Sequence, residues 1–244
     1  MKKPSTILKG LVAAAALGLV SHAQAQVTNS STAGDTFLGF EDTALNKDLV
    51  VDLGNGANLN TFTSLNVSAD LKTVFGNNWA SDANLAYGVF GISTAKTTVW
   101  SSVVSGAASP VKKASGALAT TFTHYSAMQG NFNTDAGNGQ LLTLGVQMNV
   151  GTAPDTGYAT WTGNTPNASG TSAFAVYNQT LETGVGGSLD IYGVTSTTAT
   201  LLNTFTLNNT GIITSLNSVP EPSTYALMGF GALLLLGAVR RRAV

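Results

Sequence analysis

The chain has 244 residues, of which 9% are charged, with eleven basic and twelve acidic side chains and no cysteine. Without cysteine it has no disulfide staples, no thiol nucleophile and no thiolate metal site. Between residues 26 and 219, eleven acidic side chains face five lysines and no arginine; this surplus of six negative charges argues against a phosphate-binding surface, and so against a nucleic-acid partner.

Residues 1–25 read as a secretory signal peptide. Lys2, Lys3 and Lys9 make a basic start, Leu11 to Val20 an apolar stretch, and Ala23-Gln24-Ala25 a small-residue cleavage pattern, with the cut expected after Ala25. Export would pass through the secretion translocon, leaving a domain over 26–219 large enough to be stabilised by apolar burial alone.

Short runs of β character, punctuated by turn residues, follow along that domain. They cover Phe37 to Phe40, Asp48 to Leu53 (closed by Gly54-Asn55-Gly56), Leu85 to Ile92, Thr97 to Val104 and Gln140 to Val150. The last third adds Ser172 to Tyr177, Ser188 to Val194, Thr200 to Leu207 and Gly211 to Leu216. Several alternate with period two: Phe205 and Leu207 oppose Thr204 and Thr206. The pattern predicts an all-β domain, a single antiparallel sandwich or jelly-roll-like fold. Two segments carry helical spacing. Ser68 is placed to cap a short helix bearing Leu71, Val74 and Phe75 and stopped by Gly76. Ala114 to Gln129 spaces Leu118, Phe122, Tyr125 and Met128 helically, against the resistance of Thr120, Thr121 and Thr123. The similar strings TFTSLN (61–66) and TFTLNN (204–209) read as two strands rather than a repeat.

The search for chemistry returns little. His124 is the one histidine outside the signal peptide, so the usual zinc ligand sets cannot be assembled. Gly170-Thr171-Ser172-Ala173-Phe174 begins like a nucleophile elbow but has Phe174 where the second glycine belongs. Glu41, Asp42, Asp52, Asp135, Glu182 and Asp190 could supply a glycosidase carboxylate pair, but no local motif joins any two of them; the expectation is no enzyme, with a glycosidase as the alternative. Asn131 to Gly137 alternates oxygen-bearing side chains like a calcium loop, yet Gly137 comes one place late and Leu142 stands where a bidentate glutamate is needed. A calcium site at Asn133 and Asp135, or around Asp52 and Asn55, is the remaining metal expectation. For sugar stacking, Trp161 and Tyr158 in the loop-like GYATWTGNTPNASG are the candidates, while Trp79 and Trp100 beside apolar runs are expected in the core.

The chain ends VPEPSTYALMGFGALLLLGAVRRRAV. Pro220 and Pro222 keep Glu221 in extended backbone. Tyr225 to Val239 is apolar, and as a helix the stretch from Ser223 to Arg240 would span roughly 25 Å, close to a hydrocarbon layer of ~30 Å. Arg240, Arg241 and Arg242 would stay on the cytoplasmic side and help anchor the span. These three elements in order, over residues 220–244, resemble the PEP-CTERM sorting domain of Gram-negative bacteria. The resemblance implies processing near Pro220-Glu221-Pro222 by exosortase, a membrane-embedded protease. It also implies a transient hold in the inner membrane, and a mature form at the outer surface or among extracellular polysaccharide. GDTFLGFED (34–42), LVVDLG (49–54), FGNNWASDANLAYGVFG (75–91) and the segment from Ser188 to Leu216 are similar to parts of other PEP-CTERM proteins. The expected role is structural or adhesive in exopolysaccharide or biofilm; a carbohydrate-binding module is the alternative.

Overall fold

The computed structural model describes residues 31–42, 44–110, 115–148 and 182–216. In chain order the elements are β1 (Asp35–Asp42), β2 (Lys47–Asn55), β3 (Ser64–Asn66), α1 (Ser68–Phe75), β4 (Leu85–Ile92), β5 (Val99–Val104), α2 (Ser115–Asp135), β6 (Gly145–Met148), β7 (Thr183–Gly184), β8 (Ser188–Val194), β9 (Ala199–Leu207) and β10 (Ile212–Ser215). The strands form one sheet in the order β3-β10-β9-β8-β5-β4-β1-β2-β6, with β7 beside the first half of β4. Every pairing is antiparallel.

The sheet curls into a half-barrel, where two packed sheets were expected from the alternation. The reason lies at its centre. β5 pairs with β8 over a continuous register from Val99–Val194 to Val104–Leu189, which joins what would otherwise be two sheets. Helices and 3₁₀ turns, rather than a second sheet, then cover the two faces. On one face Leu38, Leu49, Val89, Ile191, Phe205 and Ile213 gather around Leu71, Val74 and Phe75 of α1, with Trp79 and Trp100 buried among them. On the other, Phe37, Val50, Phe90 and Val146 pack against Tyr125, Met128 and Phe132 of α2. Alternate residues of one strand serve both clusters, as the pleat requires. β1 is buried along its whole length, so its acidic residues are buried with it.

Local sequence explains both helices. Leu71, Val74 and Phe75 lie at the three- and four-residue spacing of a buried helix face. Gly76, at φ 88°, ends the helix with its N–H on the Lys72 carbonyl. Lys47 Nζ adds a bond to the Val74 carbonyl at 2.7 Å, a cation at the helix C-terminus. Ser68 proves to be the first helical residue and not the cap; its N–H is taken by Asn66 Oδ1 at 3.1 Å. The helix expected to end at Gln129 runs on to Asp135 and passes into a π-type turn, Ala136–Gln140, ended by Gly139 at φ 85°. The stretch from Asn131 to Gly137 therefore lies in the end of α2 and the start of this turn. Of the strand expected over Gln140 to Val150, β6 begins only at Gly145, because Leu142 N–H turns back onto the Gly145 carbonyl at 2.7 Å; residues 149 and 150 lie outside the described residues. Gly56 sits where a Cβ would overlap the Thr36 hydroxyl and the Trp100 ring, so only glycine lets the chain after β2 approach that closely.

Two buried tyrosines tie these layers together. Tyr87 donates to the Gly187 carbonyl at 2.6 Å and accepts from Leu207 N–H at 3.1 Å. Tyr125 of α2 donates to the Asp35 carbonyl of β1 at 2.9 Å. Burial pushes the Tyr87 hydroxyl up to about 12 from 10.0. Burial, with the Asp35 and Asp52 carboxylates behind it, pushes Tyr125 up as well. The unfolded chain ionises its tyrosines near pH 10 while the native protein holds these protonated. Their contribution is therefore complete below pH 10 and is lost as pH rises toward 12. Urea midpoints should fall across that interval by a stability of about 3 kcal/mol from Tyr87 alone. A flat profile there would contradict the burial of these hydroxyls.

Candidate functional site

Three of the six carboxylates weighed as catalytic groups, Asp42, Asp52 and Asp190, accept hydrogen bonds that hold turns and strands. Asp42 Oδ1 accepts the N–H groups of Ala44 and Leu45 at 2.8 and 2.9 Å, holding the β1–β2 turn, and Asp52 Oδ1 accepts that of Gly54 at 2.7 Å near the end of β2. Asp190 takes the Thr204 hydroxyl at 2.8 Å and Gly106 N–H at 3.3 Å, fixing β8 to β9 and to the turn after β5. Glu41 stands opposite Asp48 in the β1–β2 register, both buried on the face that α2 covers. Glu182 lies just before β7.

The metal candidates separate in the same way. Asn133 is exposed on α2 and uses its amide to hold the start of the domain: Oδ1 accepts from Ser31 N–H at 2.9 Å and Nδ2 donates to the Ser31 carbonyl at 3.3 Å. Asp135 is buried at the end of the same helix. Among the described residues no group of three His, Cys, Asp or Glu side chains could hold a metal ion. Asp52 and Asn55 lie within β2, and Asn55 Oδ1 caps the following 3₁₀ turn through Ala57 N–H at 2.9 Å. His124 falls within α2. Trp79 and Trp100 lie in the core as expected, whereas Tyr158 and Trp161 lie outside the described residues, as does the expected strand from Ser172 to Tyr177.

One carboxylate that the sequence did not single out has the fullest set of partners. Asp70, 2% exposed in the first turn of α1, accepts three successive backbone N–H groups. Thr143 donates to Oδ1 at 3.1 Å, and Leu144 and Gly145 donate to Oδ2 at 2.7 and 2.9 Å. This latch joins α1 to the entry of β6 across more than seventy residues, and its role is structural.

What remains as a functional site is the way out of the domain. β10 is fastened to its last residue. Ser215 Oγ donates to Asn203 Oδ1 at 2.6 Å, and the buried Asn203 amide donates in turn to the Leu59 carbonyl at 2.8 Å. Ser215 N–H reaches the Thr63 carbonyl at 2.8 Å and Leu216 N–H the Thr204 carbonyl at 2.9 Å. Asn217, Ser218 and Val219 then lead to Pro220.

Residues 218–242 match the family model described as a PEP-CTERM protein-sorting motif. The match takes in Pro220-Glu221-Pro222, the apolar run and Arg240 to Arg242. The chain thus carries a C-terminal sorting signal of this type, which implies export, sorting to the cell surface and exosortase as its processing enzyme. No curated protein and no solved structure matches the chain. Among the described residues no helix is long and apolar enough to cross a membrane; Ala23 and Ala25, the Pro-Glu-Pro residues and the apolar run lie outside them.

Proposed function

We propose that the tail is removed near Pro220-Glu221-Pro222 after export, and that the released β domain is a structural or adhesive component of an exopolysaccharide matrix. The observation that carries this reading is the sorting motif over 218–242. The domain's composition is in keeping with it: few charges and no cysteine. Trp161 and Tyr158 remain its candidate sugar-stacking aromatics.

A second reading, direct carbohydrate binding, is favoured by one feature of the sheet. Ser64, Thr214, Thr206 and Ser188 stand in one cross-strand row over β3, β10, β9 and β8. All four are half-buried, and the last two hydroxyls are 2.7 Å apart. At a strand spacing of ~4.8 Å the row extends roughly 14 Å, a neutral line of hydroxyls suited to a polysaccharide chain. The test is co-sedimentation of the surface-recovered protein with the host's exopolysaccharide. Co-sedimentation is the expected result. Its loss in the double variant Thr206→Val, Thr214→Val would locate binding on the sheet, and its loss in Trp161→Ala would locate it at that aromatic. Protein left wholly in the supernatant would end the matrix reading.

A further inference from the structure

Asparagine is followed by glycine at two places in the chain, Asn55-Gly56 and Asn138-Gly139. At such a step the asparagine amide is most open to attack by the next backbone nitrogen, because glycine has no side chain to stand in the way. The fold treats the two steps differently. At the first, Asn55 Oδ1 accepts from Ala57 N–H at 2.9 Å, which ties the amide to the 3₁₀ turn it caps. Gly56 is buried, and its N–H donates to the Gly34 carbonyl at 3.3 Å. The Thr36 hydroxyl and the Trp100 ring close the space where a Cβ would stand. Both reacting groups are engaged.

At the second step Asn138 and Gly139 are both exposed. Outside its own turn, no atom lies within 4 Å of where a Cβ would stand on Gly139. Among the described residues none bonds to the Asn138 amide. The step closes the π-type turn after α2, where Gly139 at φ 85° leaves the helical conformation. Terminal turns of this kind open at the least cost in free energy.

We propose that Asn138 is a site of spontaneous deamidation, turning the end of α2 acidic as the folded protein ages, while Asn55 is protected. The Gly139 nitrogen, its proton taken by hydroxide, attacks Asn138 Cγ. The new N–Cγ bond closes a cyclic imide, the Cγ–Nδ2 bond breaks, and ammonia leaves with a proton from water. Water then opens the imide at one of its two carbonyls, giving an aspartyl or an isoaspartyl linkage. Either product places a carboxylate at the C-terminal end of the helical run, where the helix dipole opposes it. The isoaspartyl form also adds a methylene to the main chain, two residues before Leu141 bridges to Val146 of β6. The inference does not depend on the sorting reading.

The test is peptide mapping by mass spectrometry of protein purified from its host and aged at neutral and at mildly alkaline pH. A parallel sample in urea supplies the unfolded reference, in which the two steps should react alike. Two hydrogen bonds must break before Asn55 can react, so in the folded protein Asn138 should be converted about tenfold faster or more. Its rate should rise with hydroxide concentration. Equal rates at the two steps in the folded protein would overturn the inference, since the bonds at Asn55 and Gly56 would then protect nothing. An Asn138 that stays intact while the urea sample reacts would overturn it too, by showing that the turn after α2 does not open.

Discussion

Replacing Asp70 by alanine is expected to destabilise the domain by about 3 kcal/mol, because three backbone N–H groups that end on one buried carboxylate would lose their acceptor together. The measurement is the urea midpoint of the purified domain, with the denaturant slope unchanged. Asp70→Asn keeps the shape and one carbonyl acceptor, so it should lose roughly half as much. The two variants separate the carboxylate's bonds from its packing. The loss should be greatest at the Thr143–Gly145 turn and β6, seen as faster amide exchange in Val146 and Met148 than in β8. An alanine variant as stable as the parent would mean that the turn finds other partners and that α1 is not what holds the β6 edge.

Changing Pro220, Glu221 and Pro222 together to alanine is expected to abolish tail removal and leave full-length protein in the envelope membrane fraction. The domain's urea midpoint should not move, since among the described residues the last backbone bond is at Leu216, ahead of the motif. The split between the two readouts matters: a destabilised domain could be lost from the surface by proteolysis, whereas a motif failure spares folding and changes only length and location. Surface protein of normal shortened mass in this variant would show that the motif residues are not what the processing enzyme reads.

Much of the sheet was legible because period-two alternation is local. Leu85–Ile92 and Ser188–Val194 form strands with those bounds, as their turn-flanked alternation implied. The single curled sheet was not legible. The β5–β8 ladder that joins its halves links residues some ninety positions apart, and alternation looks the same whether two faces belong to one sheet or to two. Nor did the pattern reveal that β1 is buried along its whole length, with Glu41 and Asp42 in it. The segment from Asn131 to Gly137 was ambiguous for a related reason. Asn133 and Asp135, spaced like loop ligands, are equally well spaced to end a helix, and Phe132, fully buried against Phe37 at 5.3 Å between ring centroids, decides for the helix. Asp70 gave no signal, since its three donors lie more than seventy residues away. The sorting tail is the opposite case. Its information is linear and needs no fold to be read.

The most direct test of the sorting account is the intact mass of the protein recovered from the cell surface and the medium, with and without the host's exosortase. The account predicts a species beginning near Gln26 and ending close to Pro222, absent from the exosortase-deficient strain. A chain still ending at Val244 in the inner membrane of both strains would contradict it.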